Sequence, residues 1–314
     1  MNKTIQNAKV AYLDNNINYN AKDIIREISY NILLNKNIII EQNQKDIEND
    51  KGFKLDFEII DKILKKSENV DNLYKKKTLK NQHKNVVEYD SIGVLETFFD
   101  GNTYVFIEMA LKSINSHNSM IFVSQVEYMN NTNGVICEII REVLKKQKLN
   151  AKLIQLVYNF NILEYCNSNY VIKKAFVVGN TDLHTAIKRV SKINTEYYGY
   201  CDCDIYIDCI NDVNKLRDYI KKNCNVLFKI YVNNKLNINL EDAICVKNIE
   251  EAIDKIEFDS CNYCLLIFSN DSKCKAEMAE RCKTKNIFIN KFMDLNSVLD
   301  IDMNEFYIKK YIYL

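Results

Sequence analysis

Between Ala21 and Glu48 the apolar positions of IIREISYNILLNKNIIIEQNQKDIE fall three and four apart, which puts one apolar stripe along a helix. DFEIIDKILKKSENVDNLYKK carries the same repeat onward, so the chain is expected to begin with amphipathic helices. The pattern then changes to short apolar runs: VVEY, GVLETFF, SMIFV, LIQLV, KKAFVV, CDIYIDCI, VLFKIYV, AICV, YCLLIFS and NIFIN. Helical repeats such as YVFIEMALKSI and VICEIIREVLKKQ separate them. Short apolar runs alternating with helices predict an α/β protein whose parallel strands are covered on both faces. No Pro- or Ser-rich linker, fixed-period repeat or low-complexity segment marks a boundary.

Composition narrows the function classes. A chain of 314 residues with 47% hydrophobic content can bury one large or two moderate cores. Lys and Arg total 43 against 42 Asp and Glu, so no net field draws nucleic acid or an anionic membrane surface, and neither is expected as a partner. No run reaches the roughly 18 apolar residues of a membrane span, and the first twenty residues hold no signal-like apolar stretch. A cytoplasmic location is the expectation. The odd count of 11 cysteines then reads as reduced, mostly buried thiols rather than a disulfide framework. Average usage would give roughly 22 glycines and 16 prolines; the chain has 6 and 0. Gly52, Gly93, Gly101, Gly134, Gly179 and Gly199 are too widely spaced for GxGxxG or GxxxxGK, which excludes a glycine-cradled phosphate loop.

Residue types that carry chemistry are few. Cys201, Cys203 and Cys209 share one face if CDCDIYIDC is a strand, where small thiols pack. CNYC, with Cys261 and Cys264, has zinc-knuckle spacing, but it runs directly into LLIF without a turn glycine, and no metal is expected there or at Cys274 and Cys282. His83, His117 and His184 stand alone among polar neighbours and read as surface residues. Cys224 lies where the charged helical run DVNKLRDYIKK meets the strand VLFKIYV. Lys221 and Lys222 would lower its pKa and the end of the preceding helix would raise it. Spacing leaves it either a nucleophile or a packed thiol.

Several segments together resemble γ-glutamyl phosphate reductase (glutamate-5-semialdehyde dehydrogenase) of the aldehyde dehydrogenase superfamily. They are NKNIIIEQNQKDIEND, LDFEIIDKIL, GVLETFFDGNTYVFIEMALKSINSHNSMIFV, YGYCDCDIYID, CNVLFKIYV, AICVKNIEEAIDKI, CNYCLLIFSNDSKCKAEMAERCKTKNIFIN and the terminal EFYIKKYIYL. The resemblance implies an aldehyde dehydrogenase-like α/β fold of two Rossmann-like lobes plus an oligomerisation strand. It divides the chain into a cofactor-type lobe over 1–210, a thiol lobe over 211–292, and a return with the oligomerisation strand over 293–314. It implies NADP as cofactor, Cys224 as the thiol that would form a γ-glutamyl thioester, and Asn102 as the side-chain donor to the oxyanion. It also implies a homodimer, or a mixed oligomer with a related reductase or glutamate kinase.

The departures from that family fall in loops. VSQVEY replaces the basic, glycine-rich segment after its strand, VVGNTDLH keeps Gly179 alone of the second glycine-rich segment, and a long insertion between Tyr231 and Ala243 is missing. Strands and helices persist while functional loops are gone. Two functions are therefore expected in competition: a catalytically reduced or silent relative with a binding role, and an active NADPH-dependent reductase of γ-glutamyl phosphate working through Cys224.

Overall fold

The computed structural model describes residues 2–14, 19–80, 85–124, 127–158, 161–179, 181–198, 203–210, 212–222, 228–236, 240, 242–259, 264–284, 286–292 and 301–312. The chain divides into two compact units, one formed by 1–178, 183–197 and 300–314, the other by 179–182 and 198–299.

The first unit opens with helices α1 (Lys3–Asp14), α2 (Ala21–Leu34), α3 (Lys36–Glu48) and α4 (Phe57–Asn69). The helical repeat over 21–48 is interrupted at Asn35, whose backbone N–H bonds to Asn31 and Leu33 while its Nδ2 donates to the Asn31 carbonyl. A side chain that competes for backbone groups ends a helix even where the apolar stripe runs on. Strands β1 (Lys77–Lys80) and β2 (Asn85–Ser91) follow, then β3 (Val94–Phe99), α5 (Thr103–Asn115), β4 (Ser119–Ser124), α6 (Asn130–Lys146), β5 (Ile154–Tyr158), α7 (Ile162–Cys166), β6 (Ile172–Val178), α8 (Thr181–Val190) and β7 (Thr195–Tyr198).

The sheet of this unit has the order β5-β4-β3-β6-β7, with β3 parallel to both β4 and β6 and β4 parallel to β5. The chain thus starts in the middle, steps outward twice, and returns to the other side. This is the doubly wound arrangement, with its topological switch between β3 and β6. On one face Val94, Phe98, Ile121, Val123, Ala175 and Val177 pack beneath Ile5 and Ala8 of α1 and Ile187 of α8. On the other, Phe99, Phe106 and Phe122 form a mutually contacting aromatic group under α5, every residue of which is buried. Continuous burial of β3 and β4 explains why both read as unbroken apolar runs rather than as alternation.

The second unit repeats the plan with β8 (Cys203–Ile207), α9 (Val213–Lys222), β9 (Phe228–Asn233), β10 (Ile244–Val246), α10 (Ile249–Asp259), β11 (Cys264–Phe268), α11 (Ser272–Arg281) and β12 (Asn286–Ile289). Its order is β10-β9-β8-β11-β12 and every neighbouring pair is parallel. The boundary expected near residue 210 is displaced: the second unit takes the chain from Tyr198, and β8 is the central strand of the second sheet. A strand bonded on both edges, to β9 and β11, cannot be assigned away from them.

The C-terminal segment returns to the first unit. Lys112 donates to the Ile301 carbonyl at 2.7 Å, Asn118 to the Phe306 carbonyl at 2.8 Å, and Phe306 stacks on Phe176 with centroids 4.9 Å apart. Lys174 pairs with Glu305. Strand β13 (Tyr307–Ile312) then runs antiparallel to β2, completing a separate sheet of order β1-β2-β13.

Candidate functional site

In an open α/β sheet, ligands bind outside the carboxyl ends of the strands at the switch point. In the first unit that place is made by Asp100, Gly101 and Asn102, which join β3 to α5. Gly101 has φ +92, and a Cβ there would lie 2.4 Å from the Tyr128 carbonyl oxygen. Only glycine fits both the left-handed backbone and the close approach. Asn133 donates to the Gly101 carbonyl at 2.6 Å, holding the turn from α6.

Asn102 is buried and caps α5: its Oδ1 accepts from the backbone N–H of Tyr104 at 2.9 Å and of Val105 at 3.4 Å. This fixes the carboxamide's orientation, with the oxygen toward the helix. Its Nδ2 has no hydrogen-bond partner among the described residues and is the end left to act as a donor. Asp100 supports the turn by accepting from the Asn102 backbone N–H at 3.1 Å; burial pushes its carboxyl up to about 6, against the pull of that bond. The sequence reading missed Asp100, which stands as one ordinary carboxylate between Phe99 and Gly101.

A second missed residue governs the adjacent edge. Asp46, at the end of α3 and 1% exposed, accepts from the backbone N–H of Asn131 and Thr132, from Asn131 Nδ2 and from Thr132 Oγ1, at 3.1, 2.9, 2.9 and 2.6 Å. It supplies the cap that Met129, at φ 54, does not give α6. A polar cavity of about 290 Å³ adjoins it, lined by Asp46, Asn49, Lys51, Glu127, Asn130 and Asn131, with Lys51 and Glu127 paired at 2.5 Å. Gly179, the residue expected to touch cofactor, is buried and donates its N–H to the Tyr198 carbonyl at 3.2 Å.

Comparison with known proteins bears on the fold. The chain is similar to the γ-glutamyl phosphate reductase of Francisella philomiragia, 22% identical over 267 residues, and covers 77% of this chain but only 62% of that protein. Among solved structures it superposes on γ-glutamyl phosphate reductase from Thermotoga maritima with a TM-score of 0.72 at 15% identity, covering 99% of this chain and 97% of that one. An engineered glycolyl-CoA reductase with bound NADP+ matches at a TM-score of 0.66 and 10% identity, over 99% and 96% of the two chains. The chain has the aldehyde dehydrogenase fold. The resemblance to γ-glutamyl phosphate reductase read from the sequence is borne out, as is the α/β class. No family model matches the chain.

Cys224, the thiol nucleophile of that resemblance, lies outside the described residues, as do Cys201, Cys261 and His83. The described thiols are mostly sealed. Cys203, Cys264, Cys274 and Cys282 are buried in the second unit, and burial raises Cys274 to about 11 and Cys282 to about 12. Cys209 does not share the strand face expected for it, because β8 ends at Ile207; it is partly exposed and receives a hydrogen bond from Asn270 Nδ2. Among the described residues no group of three His, Cys, Asp or Glu could hold a metal ion, and no helix is long and apolar enough to cross a membrane.

His117 corrects its surface reading. At φ 58 in the turn from α5 to β4, it is buried between the rings of Tyr19 and Tyr74, each with its centroid 4.0 Å away, and desolvation lowers its pKa to about 4. His184 is half-buried, edge-on to Tyr197.

Proposed function

We propose that this protein is a relative of γ-glutamyl phosphate reductase that has kept the fold for binding and assembly while losing cofactor-dependent catalysis. The observation that carries this reading is the occupation of the helix N-termini at the carboxyl edge of the first sheet. A nucleotide phosphate needs free backbone N–H groups or cations there. The first turn of α5 is taken by Asn102 Oδ1, and that of α6 by the buried Asp46 carboxylate, an anion that would repel a phosphate. These residues do not fit an NADP phosphate, and a lost charge-assisted hydrogen bond costs roughly 1.5–3 kcal/mol of binding.

The retained function is then assembly. Strand β13 is bonded to β2 on one side, and its other edge pairs with no strand among the described residues, where Ile308 and Tyr311 are exposed. An open edge of this kind is a template for another chain. The partner is a second copy, a related reductase, or glutamate kinase.

One observation favours the alternative, an active NADPH-dependent reductase forming a thioester at Cys224: Asn102 Oδ1 is committed to the α5 cap, which leaves its Nδ2 as the end available to donate. Calorimetric titration of the full chain with NADPH separates the two. No heat of binding is expected; micromolar affinity, with turnover of γ-glutamyl phosphate lost in Cys224→Ala, would establish the reductase.

A further inference from the structure

Cys203 is the first residue of β8 and Cys264 the first of β11, the two strands that flank the switch point of the second sheet, and they are register partners in the parallel ladder. Register partners project to the same face of a sheet. Their sulfurs lie 3.4 Å apart, and the residues are 0% and 1% exposed. Adjacent strands run about 4.8 Å apart, within the ~4.4–6.8 Å between Cα atoms that a disulfide tolerates. Bringing the sulfurs to bonding distance therefore requires side-chain rotation and no change of strand pairing. Cys274 and Cys282 pack with Leu265 and Ile267 on the opposite face, so neither competes for this contact.

We propose that Cys203 and Cys264 form a redox-responsive thiol pair, open in the reduced protein and closed to a disulfide by a hydroperoxide. In the first step one sulfur, as its thiolate, attacks a peroxide oxygen; the O–O bond breaks, and with hydrogen peroxide the products are a sulfenic acid and water. The second sulfur then attacks the sulfenic sulfur, the S–O bond breaks, and the hydroxyl leaves as water with the second thiol's proton. Two thiols lose two electrons and two protons, and the peroxide is reduced to two waters. Both thiols are enclosed, which slows every oxidant and disfavours a bulky disulfide more than a small peroxide. A low-molecular-weight dithiol reverses the step by exchange. The bond joins residues 61 apart in sequence and encloses α9, β9, β10 and α10, so it constrains the unfolded chain and should raise the melting temperature of the second unit.

The test uses the full chain, fully reduced and then treated with hydrogen peroxide in graded amounts. After alkylation in denaturant and digestion without reductant, the expected product is one cross-linked pair of peptides carrying Cys203 and Cys264. It should carry a mass deficit of two hydrogens, be reversed by dithiothreitol, and coincide with an upward shift in melting temperature. Cys203→Ala and Cys264→Ala should abolish both the cross-link and the shift, and the wild-type peptide map stands even if a variant fails to fold. Both thiols remaining alkylatable after peroxide would overturn the proposal. So would oxidation to sulfinic acid without a cross-link, or protection from alkylation that a chelator removes, which would assign the pair to a metal ion instead.

Discussion

Glu96 sits in the middle of β3, fully buried, and neither carboxyl oxygen has a hydrogen-bond partner among the described residues. Burial raises its pKa well above the ordinary carboxylate range, so the fold holds it protonated. Asp100 at the end of the same strand is raised to about 6 for the same reason. For both, stability is complete below the unfolded value of about 4 and is lost as pH rises, because the unfolded chain releases its protons first. The Asp100 contribution ends near pH 6; that of Glu96 continues above it. Urea midpoints should therefore fall between pH 5 and pH 8, and Glu96→Gln should flatten the part of the slope above pH 6. Glu96→Leu should raise stability at pH 8 by about 1–3 kcal/mol; an unchanged slope in both variants would mean the carboxyl is paired after all. None of this was legible in GVLETFF, where one Glu in an apolar run looks like the polar position of a half-exposed strand. His117 was misread for a related reason: SHNS is polar locally, and the tyrosines that bury its ring come from distant parts of the chain.

Elements were more legible than residues. Each apolar run named from the sequence overlaps a strand, and the strands β3, β4, β8 and β11 are buried along their whole length, which leaves a continuous apolar signature. The strands that escaped notice, β1 (KTLK) and β7 (TEYY), are four-residue edge strands with little apolar content, one Leu in the first and two Tyr in the second. Caps supplied from elsewhere in the fold were equally invisible. The α6 N-terminus has no capping side chain of its own and depends on Asp46, which belongs to α3 and is remote in sequence. Asp46→Ala would strip a buried helix start of its acceptor and should destabilise the protein by about 2–3 kcal/mol, combining a lost cap with unsatisfied donors. Asp46→Asn, which keeps one acceptor oxygen, should recover part of that loss in thermal denaturation. Equal losses for Ala and Asn would show that the charge, rather than the hydrogen bonds, holds α3 to α6.

At the scale of the whole molecule, the two parallel sheets share one winding order although the sequence shows no repeat, since topology is set by strand burial and connection lengths rather than by residue identity. Which chain covers the outer edge of β13 is a question of assembly that strand burial within one copy does not answer. Truncating the C-terminus is a poor probe, because the same segment carries Phe306 against Phe176, the Asn118 bond to Phe306 and the Lys174 pair with Glu305. Its removal would unfold the first unit's core along with any interface. Substitutions confined to the exposed edge strand are cleaner: Ile308→Lys with Tyr311→Lys leaves the backbone pairing to β2 untouched and places like charges where a second strand would dock. If β13 is the assembly element, light scattering should give an oligomer mass for the wild type and a monomer mass for the double variant, with unchanged thermal stability of the monomeric fold. A wild type that is already monomeric and captures neither a related reductase nor glutamate kinase would leave β13 as the ordinary edge of its own three-stranded sheet.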